Sequence, residues 1–162
     1  MKELYEYRRE LIDVSLAVVQ ELRQILVSFP TSSLYHSPDP GISSPHRCLA
    51  HLRDVQVQAL SKRLKQILTK ENPSFTLFDD EAWLERHYRQ EEPWQDILEE
   101  FARAQVQILA DLDPRDADIW NRNAEHPWFG MRTFQWWVEL CLEYAQEHLG
   151  QIQSALQSAP DK

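Results

Sequence analysis

The sequence predicts an all-α protein, a four-helix bundle formed by a single domain over residues 1–162. Its nine prolines fall between four long proline-free segments. Apolar residues recur in each segment at steps of three and four, whereas nothing alternates convincingly with a period of two. Proline inside a helix removes a hydrogen bond and clashes with the preceding turn, so these prolines mark the ends of helices.

The first two helices are predicted in the N-terminal half of the chain. An apolar stripe defines the first, through Leu4, Tyr7, Leu11, Val14, Val18, Leu22, Ile25 and Phe29. The second begins at "SSPH", where Ser44 is suited to cap the helix and Pro45 to occupy its first position. Its apolar stripe continues to about Lys70.

The other two helices are predicted to begin at "EEPW" and just after "HPWFG". The third carries Trp94, Ile97, Leu98, Phe101, Ile108 and Leu112, and the fourth carries Phe134, Trp137, Val138, Cys141, Ala145, Ile152 and Leu156. Short loops join antiparallel neighbours in such bundles. The two longer links here therefore decide the topology.

The link between helices two and three, residues 71–93, is long enough to cross the length of a bundle. The segment "DDEAWLERHYR" within it favours a further short helix. The other long link, residues 30–44, joins helices one and two. A long crossover between helices two and three permits an arrangement in which helices two and four are antiparallel.

Composition excludes several classes of partner. The net charge is −9 and no cluster of Lys and Arg is present, so the chain would repel a phosphate backbone and no nucleic-acid partner is expected. No apolar run approaches 18 residues, so no membrane association is expected. The charged start "MKELYEYRRELID" does not resemble a signal peptide, and two cysteines fit a reducing compartment. We therefore expect a cytoplasmic protein.

Several familiar active-site motifs are missing from the sequence. It contains no G-x-G-x-x-G, no G-x-x-x-x-G-K-[ST], no H-E-x-x-H and no G-x-S-x-G. No Glu precedes a His by three residues, so the paired Glu-x-x-His of di-iron bundles is missing as well. The side chains that remain for chemistry are mainly histidines.

Two histidines fall on stripes that face the predicted core. His51 lies between Cys48 and Val55 at helical spacing, and His148 precedes Ile152 by four residues. Each is open to an ordinary interpretation, a core histidine with a hydrogen-bond partner. Their occurrence on two helices of one bundle favours a shared metal ion, since imidazole is the commonest metal ligand.

The other candidate side chains are weaker. His46 is expected on the surface because it lies about 140° around the helix from His51, and His126 is kept as an accessory candidate. Asp54 is either a surface residue or a carboxylate that orients His51. Cys48 and Cys141 are expected to be buried thiols, and the tryptophans around the start of helix four to line a pocket, form a dimer surface or simply pack.

Two stretches carry a resemblance to a known family. "SSPHRCLAHLRDVQ" resembles the second helix of the DinB-like (damage-inducible, YfiT-type) four-helix bundles, and "HPWFGMRTFQWWVELCLEYAQEHLGQI" resembles their last helix. The resemblance implies a divalent metal held by three histidines, one from helix two and an H-x-x-x-H pair in helix four. It also implies a long crossover. Family members include thiol-dependent transferases, isomerases and metal-dependent hydrolases.

The implied ligands match this chain incompletely. His51 matches the ligand of helix two and His148 the last ligand of helix four, but Tyr144 stands where the other histidine is expected. A phenol has a pKa of about 10 and must lose its proton to become a good ligand. Tyr144 is therefore a doubtful third position, and a bound zinc, nickel or iron ion is expected to be weakly held or absent.

Two functions follow, and the sequence leaves both open. The first is a metal-dependent enzyme, a thiol transferase or hydrolase that acts on a small thiol or electrophile. The second is a non-catalytic bundle with a decayed metal site that serves dimerisation or binding. A homodimer is expected in either case. A shared metal requires the His51 and His148 rings to lie within about 10 Å, since ligand bonds are near 2 Å.

Overall fold

The computed structural model describes residues 2–159, and four long helical segments dominate it. Helix α1 spans Lys2–Val27 and is followed by a 3₁₀ turn at Thr31–Tyr35. The remaining helices are α2 (Pro45–Val55), α3 (Ser61–Thr69), α4 (Asp80–His87), α5 (Trp94–Leu109), α6 (Ala117–Trp120) and α7 (Phe134–Gln157). Strands β1 (Asn123–His126) and β2 (Gly130–Thr133) form one hairpin.

The second helix of the bundle is continuous from α2 into α3 through a π-helical stretch, Gln56–Leu60. It begins as predicted, with the Ser44 side chain accepting a hydrogen bond from the Arg47 N–H and Pro45 in the first position. A π-helical turn accommodates an extra residue and changes the direction of the side chains around it. Two residues of this stretch, Ala59 and Leu60, line the cleft described below.

Side-chain contacts establish the directions of the helices. Cys48 contacts Gln151 and, further along the chain, Arg63 lies over the ring of Trp137, so the second bundle helix is antiparallel to α7. The second helix is parallel to α5, because Arg53 binds Glu100 and Ser61 contacts the Ala104 carbonyl. Near its start α1 also binds the start of α7, through Tyr7 and Glu139 and through Arg8 and Gln135. The antiparallel arrangement predicted for helices two and four is confirmed.

The crossover between helices two and three contains α4, as predicted. The Asp79 side chain caps this short helix by accepting a hydrogen bond from the Ala82 N–H. The start of the link is fastened to the hairpin by two backbone bonds, from Phe75 N to Glu125 O (2.8 Å) and from Glu125 N to Pro73 O (2.9 Å). These contacts position α4 beside α2.

The β-hairpin was not predicted from the sequence. Its strands pair in antiparallel register from Asn123 opposite Thr133 to His126 opposite Gly130, and Gly130 has a φ of 67°. Four residues per strand are too few to produce a clear alternating pattern. The hairpin stands at the N-terminal end of α7 and places His126 against Trp137.

The core divides into two clusters along the bundle. One surrounds Trp120, Phe134 and Trp137, and the other surrounds Leu22, Leu49 and Phe101. Trp120 and Trp137 are fully buried, whereas Trp128 is 75% exposed, so packing and surface roles are divided among the tryptophans. Between residues 2 and 159, none of the helices has the length and apolar character needed to cross a membrane.

Candidate metal centre

Three helices bring the predicted residues His51, Tyr144 and His148 together with an aspartate that was not predicted. His51 comes from α2, Tyr144 and His148 come from α7, and Asp80 comes from the first turn of α4. The rings of His51 and His148 have centroids 5.2 Å apart, well within the distance of about 10 Å that a shared metal requires. His148 is buried and His51 is half-buried.

One nitrogen of each imidazole faces a group that can only accept a hydrogen bond. His148 Nδ1 lies 2.9 Å from the backbone oxygen of Tyr144, and His51 Nε2 lies 2.8 Å from Asp80 Oδ2. Since a carbonyl oxygen and a carboxylate accept, both nitrogens must carry hydrogen. In the neutral rings the lone pairs are then on His148 Nε2 and His51 Nδ1.

These two lone-pair nitrogens face each other at 3.3 Å. Two acceptors at this distance repel unless a cation lies between them. A proton is a poor candidate above neutral pH, because a free imidazole has a pKa near 6.5 and burial lowers the pKa of His148 further. Two nitrogens bound to one tetrahedral ion at about 2.05 Å would be about 3.3 Å apart. The pair therefore fits a divalent cation.

Asp80 is a site residue that sequence reasoning missed. Metal-bound histidines usually donate their other N–H to a carboxylate or backbone carbonyl, which fixes the ring and the tautomer. Asp80 takes this position for His51, and the Tyr144 carbonyl takes it for His148. The sequence indicated only a short helix in this part of the link, and the path of the crossover is what places Asp80 beside His51.

Tyr144, the doubtful third position, lies beside the two histidines. Its hydroxyl lies 3.4 Å from His51 Nε2, the nitrogen that faces Asp80, rather than beside the converging pair. Burial, reinforced by the negative charge of Asp80, raises the Tyr144 pKa and keeps the phenol protonated. Within residues 2–159, no group of three or more His, Cys, Asp and Glu side chains has the geometry of a metal site. The side chains that present lone pairs toward a shared point are thus two imidazoles.

The two cysteines are buried thiols, as expected. Burial raises the pKa of both Cys48 and Cys141 to about 12, so neither is a thiolate near neutral pH. The Cys48 thiol faces Gln151 Oε1 at 3.4 Å and the His148 carbonyl at 3.8 Å. Their reactivity is low because the thiolate is the nucleophile and metal ligand.

Two expectations on α2 were wrong. His46 is completely buried instead of exposed, with Nε2 2.7 Å from the Glu92 carbonyl and Nδ1 2.9 Å from the Tyr88 hydroxyl. Asp54 neither orients His51 nor lies on the surface, because it is buried and accepts a 2.7 Å bond from Arg53. Both errors have one cause. Helix α5 and the end of the crossover cover the face of α2 that a four-helix pattern leaves undetermined.

A cleft of about 230 Å³ adjoins the centre, with Asp80 and Tyr144 in its wall. Its other walls are mostly apolar and include Leu60, Leu140 and Phe129. His126, the accessory candidate, also lines this cleft but has no hydrogen bond to His51 or His148 among the residues described. It is thus adjacent to the centre rather than part of it.

Comparison with known proteins agrees with this architecture. Residues 16–152 match the family model of the DinB superfamily. The chain belongs to the DinB superfamily. Its fold is similar to that of YfiT from Bacillus subtilis, with a TM-score of 0.83 and 21% identity over 94% of this chain and 87% of that one. YfiT is described as a probable metal-dependent hydrolase with an unusual four-helix bundle topology.

No curated protein matches this DinB-superfamily chain significantly. The resemblance that was based on the two histidine-containing stretches is confirmed, and so is the four-helix bundle fold. The homodimer and the cytoplasmic location stay predictions.

Proposed function

We propose that this DinB-superfamily protein is a metal-dependent enzyme of the hydrolase class, which binds a divalent cation through His51 and His148. The observation that carries the proposal is the 3.3 Å approach of the two imidazole lone pairs, with the opposite nitrogen of each ring facing an acceptor. The description of YfiT as a probable metal-dependent hydrolase supports the same class.

The side chains around the centre have distinct roles in this proposal. A divalent ion would supply Lewis-acid activation of a water or a thiol. His51 and His148 would hold it, while Asp80 keeps the proton of His51 on Nε2. Tyr144, held protonated by its surroundings, is a hydrogen-bond donor beside the centre and is suited to bind an oxygen of the substrate. The apolar walls of the cleft exclude water from the substrate.

Thiol transfer is the alternative chemistry for the same centre, because an open coordination position accepts a thiol as readily as a water. The thiol would have to come from a small-molecule substrate, since Cys48 and Cys141 are protonated and buried. The choice between the two reactions thus depends on which nucleophile reaches the cleft.

A second candidate function is a non-catalytic bundle with a decayed site. It is favoured by the phenol of Tyr144 at the position of the missing histidine and by the lack of a three-ligand group in the described part of the chain. Under this alternative the facing imidazoles would share a proton, and no divalent ion would be retained during purification.

The test is to purify the chain without a histidine tag and measure its metal content by elemental analysis. The zinc-loaded protein is then assayed for hydrolysis of small esters and amides, and for transfer of a small thiol to an electrophile. We expect about one ion per chain and a reaction that His148→Gln abolishes. A parent protein without bound metal, or a reaction unchanged by His148→Gln, would contradict the proposal.

A further inference from the structure

Arg63 is a partly buried cation in the wall of the cleft. Its Nη2 donates a 3.1 Å hydrogen bond to the Thr76 carbonyl, and its guanidinium lies over the rings of Phe75 and Trp137, 5.7 and 5.6 Å from their centroids. No Asp or Glu within residues 2–159 forms an ion pair with it. A guanidinium has five N–H donors, so most of those on Arg63 have no partner in the part of the chain that the structure describes.

His126 provides a second donor in the same wall. Its Nδ1 accepts hydrogen bonds from the backbone N–H groups of Trp128 (3.1 Å) and Phe129 (3.4 Å), so the proton of the neutral ring is on Nε2. This Nε2–H has no hydrogen-bond partner among the residues described, and it is not fully buried. Burial and the nearby charge of Arg63 both lower the His126 pKa and keep the ring neutral.

We propose that Arg63 and His126 together bind a carboxylate on the substrate, and that the substrate is a small molecule with this carboxylate attached to an apolar body. That the bound molecule is a substrate rests on the proposed function. The two donors and the centre at Asp80 and Tyr144 line one cleft, between apolar residues. A molecule held at Arg63 by its anionic end therefore shares this cleft with Asp80 and Tyr144, which both contact His51.

Charge favours a carboxylate over a phosphate in this cleft. Arg63 contributes one positive charge and the neutral His126 contributes none, while the Asp80 carboxylate in the same wall adds negative charge. Arg63 can therefore balance at most a monoanion, whereas a phosphate monoester carries about −1.5 to −2 at pH 7. The chain has a net charge of −9, so its overall field does not attract anions and the local cation must supply the binding energy. At about 230 Å³ the cleft suits only a small ligand.

The test uses phenylacetate and its uncharged analogue phenylacetamide as probes of the metal-free chain. Binding is followed by NMR, through the imidazole and guanidinium resonances, and by tryptophan fluorescence. We expect phenylacetate to bind at least about tenfold more tightly than phenylacetamide, a difference of about 1.4 kcal/mol. Phenyl phosphate should bind no more tightly than phenylacetate. Equal affinity for the acid and the amide, or a clear preference for the phosphate, would overturn the proposal.

Variants locate the binding site. Arg63→Met should remove the preference for the acid over the amide, and Arg63→Lys should retain part of it. The matched control is Lys62→Met, which removes one positive charge from a residue that lines a neighbouring cleft but not this one. If Lys62→Met weakens phenylacetate binding as much as Arg63→Met does, the anion is not held at Arg63 and the inference fails. The comparison of acid and amide on the parent decides the question even if Arg63→Met does not fold.

The two proposals can fail separately. Zinc binding should survive Arg63→Met, and phenylacetate binding to the metal-free chain should survive His148→Gln. If the chain binds no zinc but prefers the acid, the proposed enzymatic function is wrong and the proposed carboxylate site stands. If the chain binds zinc but shows no preference for the acid, the proposed enzymatic function stands and the proposed carboxylate site is wrong.

Discussion

His46 and His51 lie five residues apart on one helix, yet their surroundings differ completely. Both nitrogens of His46 have partners of the correct kind, because Nε2 donates to a carbonyl and Nδ1 accepts from a phenol. His51 has a suitable partner on one side only. Its other nitrogen faces a second imidazole that also presents a lone pair. A closed hydrogen-bond arrangement stabilises the fold, whereas an unsatisfied one provides a place for a ligand.

The same contrast extends to the charged residues around each histidine. Near His46, the buried Arg53 pairs with Asp54 and binds both oxygens of Glu92 (2.9 and 3.2 Å). Because Arg53 donates to it, Glu92 has a lowered pKa, while burial raises the pKa of Asp54. Near His51, Asp80 has only that histidine as an ion-pair partner among the described residues. The charged residues near His46 thus pair with one another and stabilise the fold, whereas Asp80 holds a histidine that is available to a ligand.

The largest expected effect on the free energy of unfolding comes from replacing Arg53. Arg53→Met would leave Asp54 buried without its cation, so we expect a loss of about 3–5 kcal/mol in unfolding free energy. Urea denaturation monitored by circular dichroism measures it. The matched control is Arg9→Met, which removes an exposed ion pair with Asp13 and should cost less than about 1 kcal/mol. Equal losses in the two variants would mean that the buried network does not stabilise the fold.

Replacement of the two histidines compares the regions directly. His46→Phe should lower the unfolding free energy by about 1–3 kcal/mol, because it leaves the Glu92 carbonyl and the Tyr88 hydroxyl unpaired. His51→Phe should cost less than half as much in metal-free protein, while only this variant should lose the stabilisation by added zinc. If His46→Phe is the variant that abolishes the response to zinc, the assignment of roles is reversed.

Tyr144→His would restore the H-x-x-x-H pair. An additional imidazole should increase zinc affinity at least about tenfold, or about 1.4 kcal/mol, and the thermal shift at a fixed zinc concentration should grow accordingly. Tyr144→Phe is the control and should leave zinc affinity nearly unchanged, because the phenol is protonated and faces the nitrogen of His51 that points to Asp80. Loss of zinc binding in Tyr144→Phe would establish the phenolate as a ligand.

The smallest expected effect is on the pH dependence of the free energy of unfolding. Burial lowers the folded-state pKa of His148 and His126 below the ordinary value of about 6.5. The unfolded chain therefore binds protons first, and the stability that these residues contribute is complete above about pH 6.5 and is lost as the pH falls. Between pH 7 and 5, the free energy of unfolding should fall less steeply in His148→Gln than in the parent protein. The two slopes should differ by less than about 1.4 kcal/mol per pH unit. An unchanged slope would show that His148 does not titrate differently on folding.

Much of this structure could be predicted from the sequence, because helical periodicity and proline positions are local signals. The start of α2 after Ser44 follows from such signals. The convergence of His51 and His148 also required the crossover topology that the family resemblance implies, because the length of the link only permits it. The closed surroundings of His46 could not be predicted, since they depend on how the crossover and α5 cover α2. Asp80 was missed for the same reason. A polar residue has a recognisable role only when the partner from another element is known.

The most direct test of the central claim is the protonation of the two imidazoles, measured by long-range nitrogen–hydrogen NMR on tag-free, metal-free protein near pH 8. We predict that His51 carries its proton on Nε2 and His148 on Nδ1. One equivalent of zinc should then shift His51 Nδ1 and His148 Nε2 and leave His46 unchanged. A proton on His51 Nδ1 or on His148 Nε2 would contradict the account, as would zinc that leaves both rings unaffected.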